Sequence, residues 1–205
     1  MNKARQVVYV VDDDDAVRDS LLELLDSVGI EGVGFPSAKE FLTGCNLNPG
    51  GCLVLDIRMP GMSGLDLQKQ LAESNNSLPI IFITGHGDVP MAVEAMKRGA
   101  VEFIQKPFRD QDLLDAIHAA LESSDKEKSA VDEQQETLKR IESLTDREKE
   151  VLNWVVNGHP NKVIAIELGI SQRTVENHRA HVMEKMNVRT TANLIKQVLM
   201  ASRGD

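Results

Sequence analysis

Four consecutive aspartates, Asp12 to Asp15, close an apolar run that starts at Val7. Adjacent like charges repel, so a folded domain keeps them together only where something offsets the charge. Further chemistry-bearing residues end later apolar runs. Asp56 ends GCLVLD, Thr84 ends PIIFIT, and Lys106 follows FIQ. Three carboxylates gathered in one place need a cation, and a few hard oxygens with water completing an octahedron describe a Mg2+ or Mn2+ site. A hydroxyl and an ammonium beside them suit phosphoryl oxygens. An aspartate there can attack a phosphoryl group and form an acyl phosphate. The metal would offset the charge of the incoming phosphate, and Thr84 and Lys106 would hold the transferred oxygens. Asp56 is the expected acceptor, with Asp12 and Asp13 beside it as metal ligands. Asp14 and Asp15 are expected to cap the helix that starts near Ala16, where carboxylates meet the positive helix end. Taken singly, each of these residues reads as a solvated turn, a cap or a surface lysine. The set, in this order, points to chemistry.

A parallel sheet would position that set. Strand-like runs occur at Gln6–Val11, Gly32–Phe35, Cys52–Asp56, Pro79–Thr84 and Val101–Gln105. Amphipathic stretches separate them, such as Ala16–Val28 with Val17, Leu21, Leu24, Leu25 and Val28 at helical spacing. Strands alternating with helices predict an α/β fold with a mostly parallel, doubly wound sheet. Ligands of such sheets sit beyond the carboxyl ends of the strands, where the candidate residues fall.

Residues 123–142 change character: Val131, Leu138 and Ile141 are their only large apolar residues. The stretch cannot bury a core, and its Glu, Lys and Gln favour a helical linker continuous with the helix before it. From Ser143 the pattern is all helical. Thr145 and Glu148 form a capping box, and the helix after it carries Val151, Leu152, Trp154, Val155 and Val156. A short helix over Lys162–Leu168 is stopped by Gly169, Ser171 caps Gln172–Met186, and Ala192–Met200 closes the set, with Leu194, Ile195, Val198 and Leu199 expected to lie mostly in the core. These four helices follow helix-turn-helix grammar. The expected organisation is a phosphoacceptor domain over 1–122, a linker over 123–142 and a DNA-binding domain over 143–205.

The net charge of -9 is unevenly spread: -9 over residues 1–122, -2 over 123–142 and +2 over 143–205, so the two domains should meet different partners. No export signal pattern is visible, no apolar run approaches the ~20 residues of a membrane helix, and two cysteines make no disulfide framework. A cytoplasmic protein without a membrane partner is expected.

On a helical wheel, Val175, Val182 and Met186 form one stripe and should face the core. Arg173, Asn177, Ala180 and Glu184 lie opposite, flanked by Glu176 and His181. Such a helix suits the major groove; Asn pairs with adenine and Glu accepts from cytosine. Thr174, His178, Arg179, Lys162 and Lys185 are placed for phosphates.

The segments VVDDDDAVRDSL, LVLDIRMPGMSG, IIFITGHGDVPMAVEAMKRGAVEFIQKPF and LTDREKEVL, with NKVIAIELGISQRTVENHRAHVMEKM, resemble a two-component response regulator of the FixJ type. The resemblance covers both domains. It implies a receiver with strand order 2-1-3-4-5, phosphorylated at Asp56 by a sensor histidine kinase. It implies Mg2+ held by Asp12, Asp13, Asp56 and the Arg58 backbone carbonyl, Thr84 and Phe103 as a coupled switch pair, and a cis Pro107 after Lys106. It also implies a LuxR-like domain on promoter DNA, dimerisation through the face of Asp88–Arg98 and the fifth strand, and RNA polymerase as a further partner. Gln105 stands where relatives often carry an acid. The expected protein is not an enzyme acting on an external substrate, though it would hydrolyse its own acyl phosphate slowly. Two other readings are weaker. An Asp-dependent phosphatase needs a general acid two residues past the nucleophile, where Arg58 stands. A stand-alone Asp-phosphorylated switch could act on an RNA or protein partner instead; an RNA reader would show exposed aromatics for stacking, and residues 143–205 contain only Trp154.

Overall fold

The computed structural model describes residues 6–45, 51–74, 78–85 and 89–202. Asp88, at the edge of the expected pairing face, lies outside them, as do the outer ends of both expected domains. The chain divides into two compact units, Met1–Lys128 and Ser129–Asp205.

In the first unit β1 (Val7–Val11), β2 (Glu31–Phe35), β3 (Cys52–Asp56), β4 (Ile80–Thr84) and β5 (Glu102–Gln105) form a parallel sheet in the order β2-β1-β3-β4-β5. The helices α1 (Asp15–Ser27), α2 (Ala38–Gly44), α3 (Gly64–Glu73), α4 (Val89–Lys97) and the first part of α5 (Asp110–Glu142) join and cover the strands. Residues alternate across the sheet with the strand period of two. Tyr9, Val11, Leu53, Leu55, Ile80 and Phe82 share one core with Phe41 of α2, Leu67 and Leu71 of α3 and Ala95 of α4. Val8, Val10, Val54, Ile81 and Ile83 share the other with Leu21 and Leu25 of α1 and Leu113 and Ile117 of α5. The central strands β1, β3 and β4 are buried along their length, as near-continuous apolar runs require in a sheet covered on both faces.

α5 runs unbroken through residues 123–142, and Val131 and Leu138 stay exposed on it while Ile141 packs inward. The second unit adds α6 (Asp146–Val156), α7 (Asn161–Leu168), α8 (Gln172–Lys185) and α9 (Thr191–Ala201). Thr145 and Glu148 make the reciprocal capping box that opens α6. Gly169 takes the left-handed conformation, φ 66°, that ends α7. Val151, Leu152, Val155, Ile164, Val175, Val182, Met186 and Leu194 form the core. Leu199 departs from expectation: it is exposed, because Leu194 and Ala201 hold the buried stripe of α9 and Leu199 falls on the far side. Among the described residues no helix is long and apolar enough to cross a membrane.

Gly64 opens α3 against the end of β3. A Cβ there would lie 2.3 Å from the Asp56 carbonyl oxygen and 3.1 Å from Ile57 Cα, both backbone atoms with little freedom to yield. Gly64→Ala is expected to destabilise this unit by roughly 1–3 kcal/mol, the usual cost of overpacking. Gly85→Ala, with nothing within 4 Å of the added carbon, is expected to be near neutral. Urea titration of the two variants checks the difference.

Candidate phosphoacceptor site and nucleic-acid interface

The register explains how separate runs deliver one site. Val11 of β1 pairs with Leu55 of β3, so Asp12 and Asp56 emerge side by side at the carboxyl edge. Asp56 pairs with Ile83, one residue before Thr84, and Thr84 pairs with Gln105, one residue before Lys106. The Lys106 amide donates to the Thr84 carbonyl at 2.9 Å, and the peptide from Lys106 to Pro107 is cis.

Lys106 is the hub of the site. Its ammonium donates to Asp12 Oδ2 at 2.7 Å and to Asp56 Oδ1 at 3.0 Å. Both carboxylates are buried; Asp12 is 1% and Asp56 6% exposed. The other oxygens are also used: Asp12 Oδ1 accepts from the Asp14 amide at 3.0 Å, and Asp56 Oδ2 accepts from the Arg58 amide at 2.7 Å. Burial raises the Asp56 pKa, against the hydrogen bond and charge of Lys106, while the Asp12 charge adds to the rise. Burial alone would lower the Lys106 pKa, but its hydrogen bonds to Asp12 and Asp56 outweigh that and raise it. Two carboxylates against one ammonium leave one negative charge uncompensated.

The aspartate quartet divides as its surroundings dictate. Asp14 caps α1 by accepting from the amides of Ala16 and Val17, and Asp15 in the first turn pairs with Arg18. Asp13 is exposed at the rim. Asp12 and Asp56 are thus the pair that shares the Lys106 ammonium, with Asp13 beside them at the edge. Among the described residues no group of three His, Cys, Asp or Glu side chains is placed to hold an ion. The reason is local: Asp12 turns inward to Lys106, and its neighbour faces out. A divalent ion that keeps most of its waters needs only one or two carboxylates, so Asp12 and Asp56, with their uncompensated charge, fit Mg2+ as a donor set. Thr84 is buried at the same edge, and Phe103, paired with Phe82, is half-buried against the core that contains it.

Val175 and Val182 on α8 and Met186 just after it are buried, while Arg173, Glu176, Asn177, Ala180, His181 and Glu184 are exposed; Lys162 on α7 is exposed too. Thr174 and His178 are half-buried, Thr174 beside the capping Ser171. Two expected phosphate contacts are committed elsewhere. The Arg179 guanidinium donates to Asn161 Oδ1 at 2.7 Å and to Thr191 Oγ1 at 3.0 Å, tying α8 to α7 and α9. The Lys185 ammonium donates to Glu148 Oε2 at 2.7 Å. Glu148 is 4% exposed and also accepts from the Thr145 amide, with His181 Nδ1 3.8 Å away. A buried acid needs such partners. The helical wheel missed these ties because it sees one helix at a time. The capping box was the available signal for Glu148, but not for its lysine.

The Lys185 hydrogen bond, then the Thr145 amide, holds the Glu148 carboxyl at about 2, below its ordinary value of 4.5. A depressed folded-state pKa contributes stability that is complete above the unfolded value and is lost as pH falls toward the folded one. The second unit should therefore lose stability between about pH 4.5 and pH 2. Glu148→Gln should weaken the unit at pH 7 by roughly 1–3 kcal/mol and flatten that dependence, as measured by urea unfolding across the range. Arg179→Ala should also lower the melting temperature of this unit, whereas Arg173→Ala should not.

Comparison with known proteins agrees with this geometry. Residues 8–118 match the response regulator receiver domain model, and residues 142–198 match the model of bacterial regulatory proteins of the luxR family. The response regulator protein TodT of Pseudomonas putida is 47% identical over 196 residues, spanning 96% of this chain and 86% of that protein. The transcriptional regulatory protein FixJ of Azorhizobium caulinodans is 47% identical over 194 residues, 95% of this chain and 92% of its own length. A solved structure of the response regulator StyR superposes with a TM-score of 0.85 at 49% identity, covering 95% of this chain and 98% of that one. The buried Asp–Lys–Asp edge, the helix-turn-helix unit and these matches together place the chain in the response regulator family, as a receiver domain followed by a LuxR-type DNA-binding domain.

Proposed function

We propose that Asp56 accepts a phosphoryl group from a sensor histidine kinase and that this controls promoter binding by the second unit. One observation carries the reading: the Lys106 ammonium lies within hydrogen-bond distance of two buried aspartates at the carboxyl edge of the sheet. A carboxylate oxygen of Asp56 attacks phosphorus, the bond to the donor breaks, and the leaving group departs with the electron pair. Mg2+ or Mn2+, held by Asp12, Asp13, Asp56 and the Arg58 carbonyl, supplies charge neutralisation when bound. Lys106 is already aimed at the acceptor and Thr84 is buried one residue past the partner of Asp56, so both can bind phosphoryl oxygens. Water slowly hydrolyses the acyl phosphate, and no external substrate is turned over. Thr84 and Phe103 carry the change to α4 and β5, two copies pair, and the pair binds a two-half-site element through effective concentration. RNA polymerase is the onward partner, in the cytoplasm.

On the DNA side the exposed Arg173, Glu176, Asn177, Ala180 and His181 read bases, with Lys162, Thr174 and His178 at phosphates. Arg179 and Lys185 act instead through the shape of the unit. The test is selection of bound genomic fragments by untreated protein, acetyl-phosphate-treated protein in Mg2+, and treated Asp56→Ala. Enrichment of a two-fold symmetric element by the treated wild type alone is expected. Equal enrichment by all three would remove phosphate gating, and none under any condition would point to an RNA or protein partner. Asn177→Ala should relax base preference at one position and cost about 1–3 kcal/mol of affinity.

A further inference from the structure

We infer that Arg18 is a positioning residue for the acidic pair, setting metal affinity through the Asp12 backbone; this rests on the phosphoacceptor reading above. The Arg18 guanidinium donates through one terminal nitrogen to the Asp12 carbonyl oxygen at 2.8 Å, and the other terminal nitrogen pairs with Asp15. Its side chain is 14% exposed. The stem is seated on Gly34 of β2, where a Cβ would come 3.1 Å from Arg18 Cδ and 3.2 Å from Cγ. A side chain packed on a strand and bonded at both ends of its head group has little freedom.

Among the described residues' hydrogen bonds, that carbonyl is the one polar position of Asp12 not held by the sheet, the loop or Lys106. The Asp12 amide donates to Phe35 O at 3.3 Å, Oδ1 accepts from the Asp14 amide, and Oδ2 accepts from Lys106. The Asp12 carbonyl and the Asp13 amide belong to one rigid peptide plane. Gripping the carbonyl fixes that plane, and the plane fixes the direction in which Asp13 leaves the strand. Arg18 thus decides where the rim carboxylate stands relative to the buried one.

Position and charge predict opposite signs. A cation near a metal site opposes metal binding by Coulomb repulsion, so a pure charge effect makes removal of Arg18 tighten the metal. The charge is already offset by Asp15, and groups that orient metal ligands are typically worth about tenfold or more in affinity. Position should win.

The experiment measures Mn2+ binding to the purified full chain by electron paramagnetic resonance, with thermal unfolding in parallel. Arg18→Met, which keeps the stem over Gly34, should weaken Mn2+ about tenfold or more. Arg18→Lys, which keeps one donor, should weaken it less, and Asp15→Asn, which leaves the grip on the carbonyl and removes only an exposed partner of Arg18, should change it least. Unchanged or tighter binding in Arg18→Met overturns the inference, as does an equal loss in Asp15→Asn. Should Arg18→Met not fold, the ranking of Arg18→Lys below wild type and Asp15→Asn decides it. A wild type that binds no Mn2+, or whose binding survives Asp12→Asn and Asp56→Asn, overturns the phosphoacceptor reading itself.

Discussion

One ammonium shared by two buried carboxylates is the constraint on which the receiver unit depends. Lys106 follows β5, two strand spacings from β3, or about 10 Å at the usual separation. Only a long side chain spans that gap, and only with strands in this order do Asp12 and Asp56 stand next to each other to receive it. Burying either carboxylate without the lysine would cost several kcal/mol. The lysine therefore makes the acidic pocket possible. It does not make the pocket neutral, and the remaining negative charge suits a divalent cation.

The same economy appears in the second unit. Glu148 is drawn inward by the capping box that starts α6, and Lys185 from the end of α8 meets it there. Arg179 spans from α8 to Asn161 and Thr191. Polar residues of α8 thus divide between two duties. Those on the inner flank lock the helix to its neighbours. Those on the outer face, Arg173 and Asn177 among them, are exposed.

Much of this was legible in the sequence. Strand and helix types followed from apolar periodicity, and observed ends differ from the expected ones by a residue or so: Val7 rather than Gln6 for β1, Lys185 rather than Met186 for α8. The edge residues Asp12, Asp56, Thr84 and Lys106 were legible because a parallel sheet places strand ends in one row. The exposed position of Asp13 at the rim was not, because adjacent residues past a strand end need not point the same way. Arg18, Arg179 and Lys185 were illegible for another reason: each bonds a group brought near only by tertiary packing, and a charged residue on a helix otherwise reads as solvated surface. Leu199 was assigned to the core because periodicity finds the apolar stripe but not its width.

Phosphorylation of the receiver unit would leave a covalent bond on one carboxylate, and that bond can be mapped. The full chain would be treated with acetyl phosphate and Mg2+, the acyl phosphate reduced with borohydride, and the modified residue located by peptide mass spectrometry, in the wild type and in Lys106→Met. A single modified residue, Asp56, is expected in the wild type, and much less of it in Lys106→Met. Modification at Asp12 or Asp13, or wild-type levels on Asp56 without the lysine, would contradict this expectation.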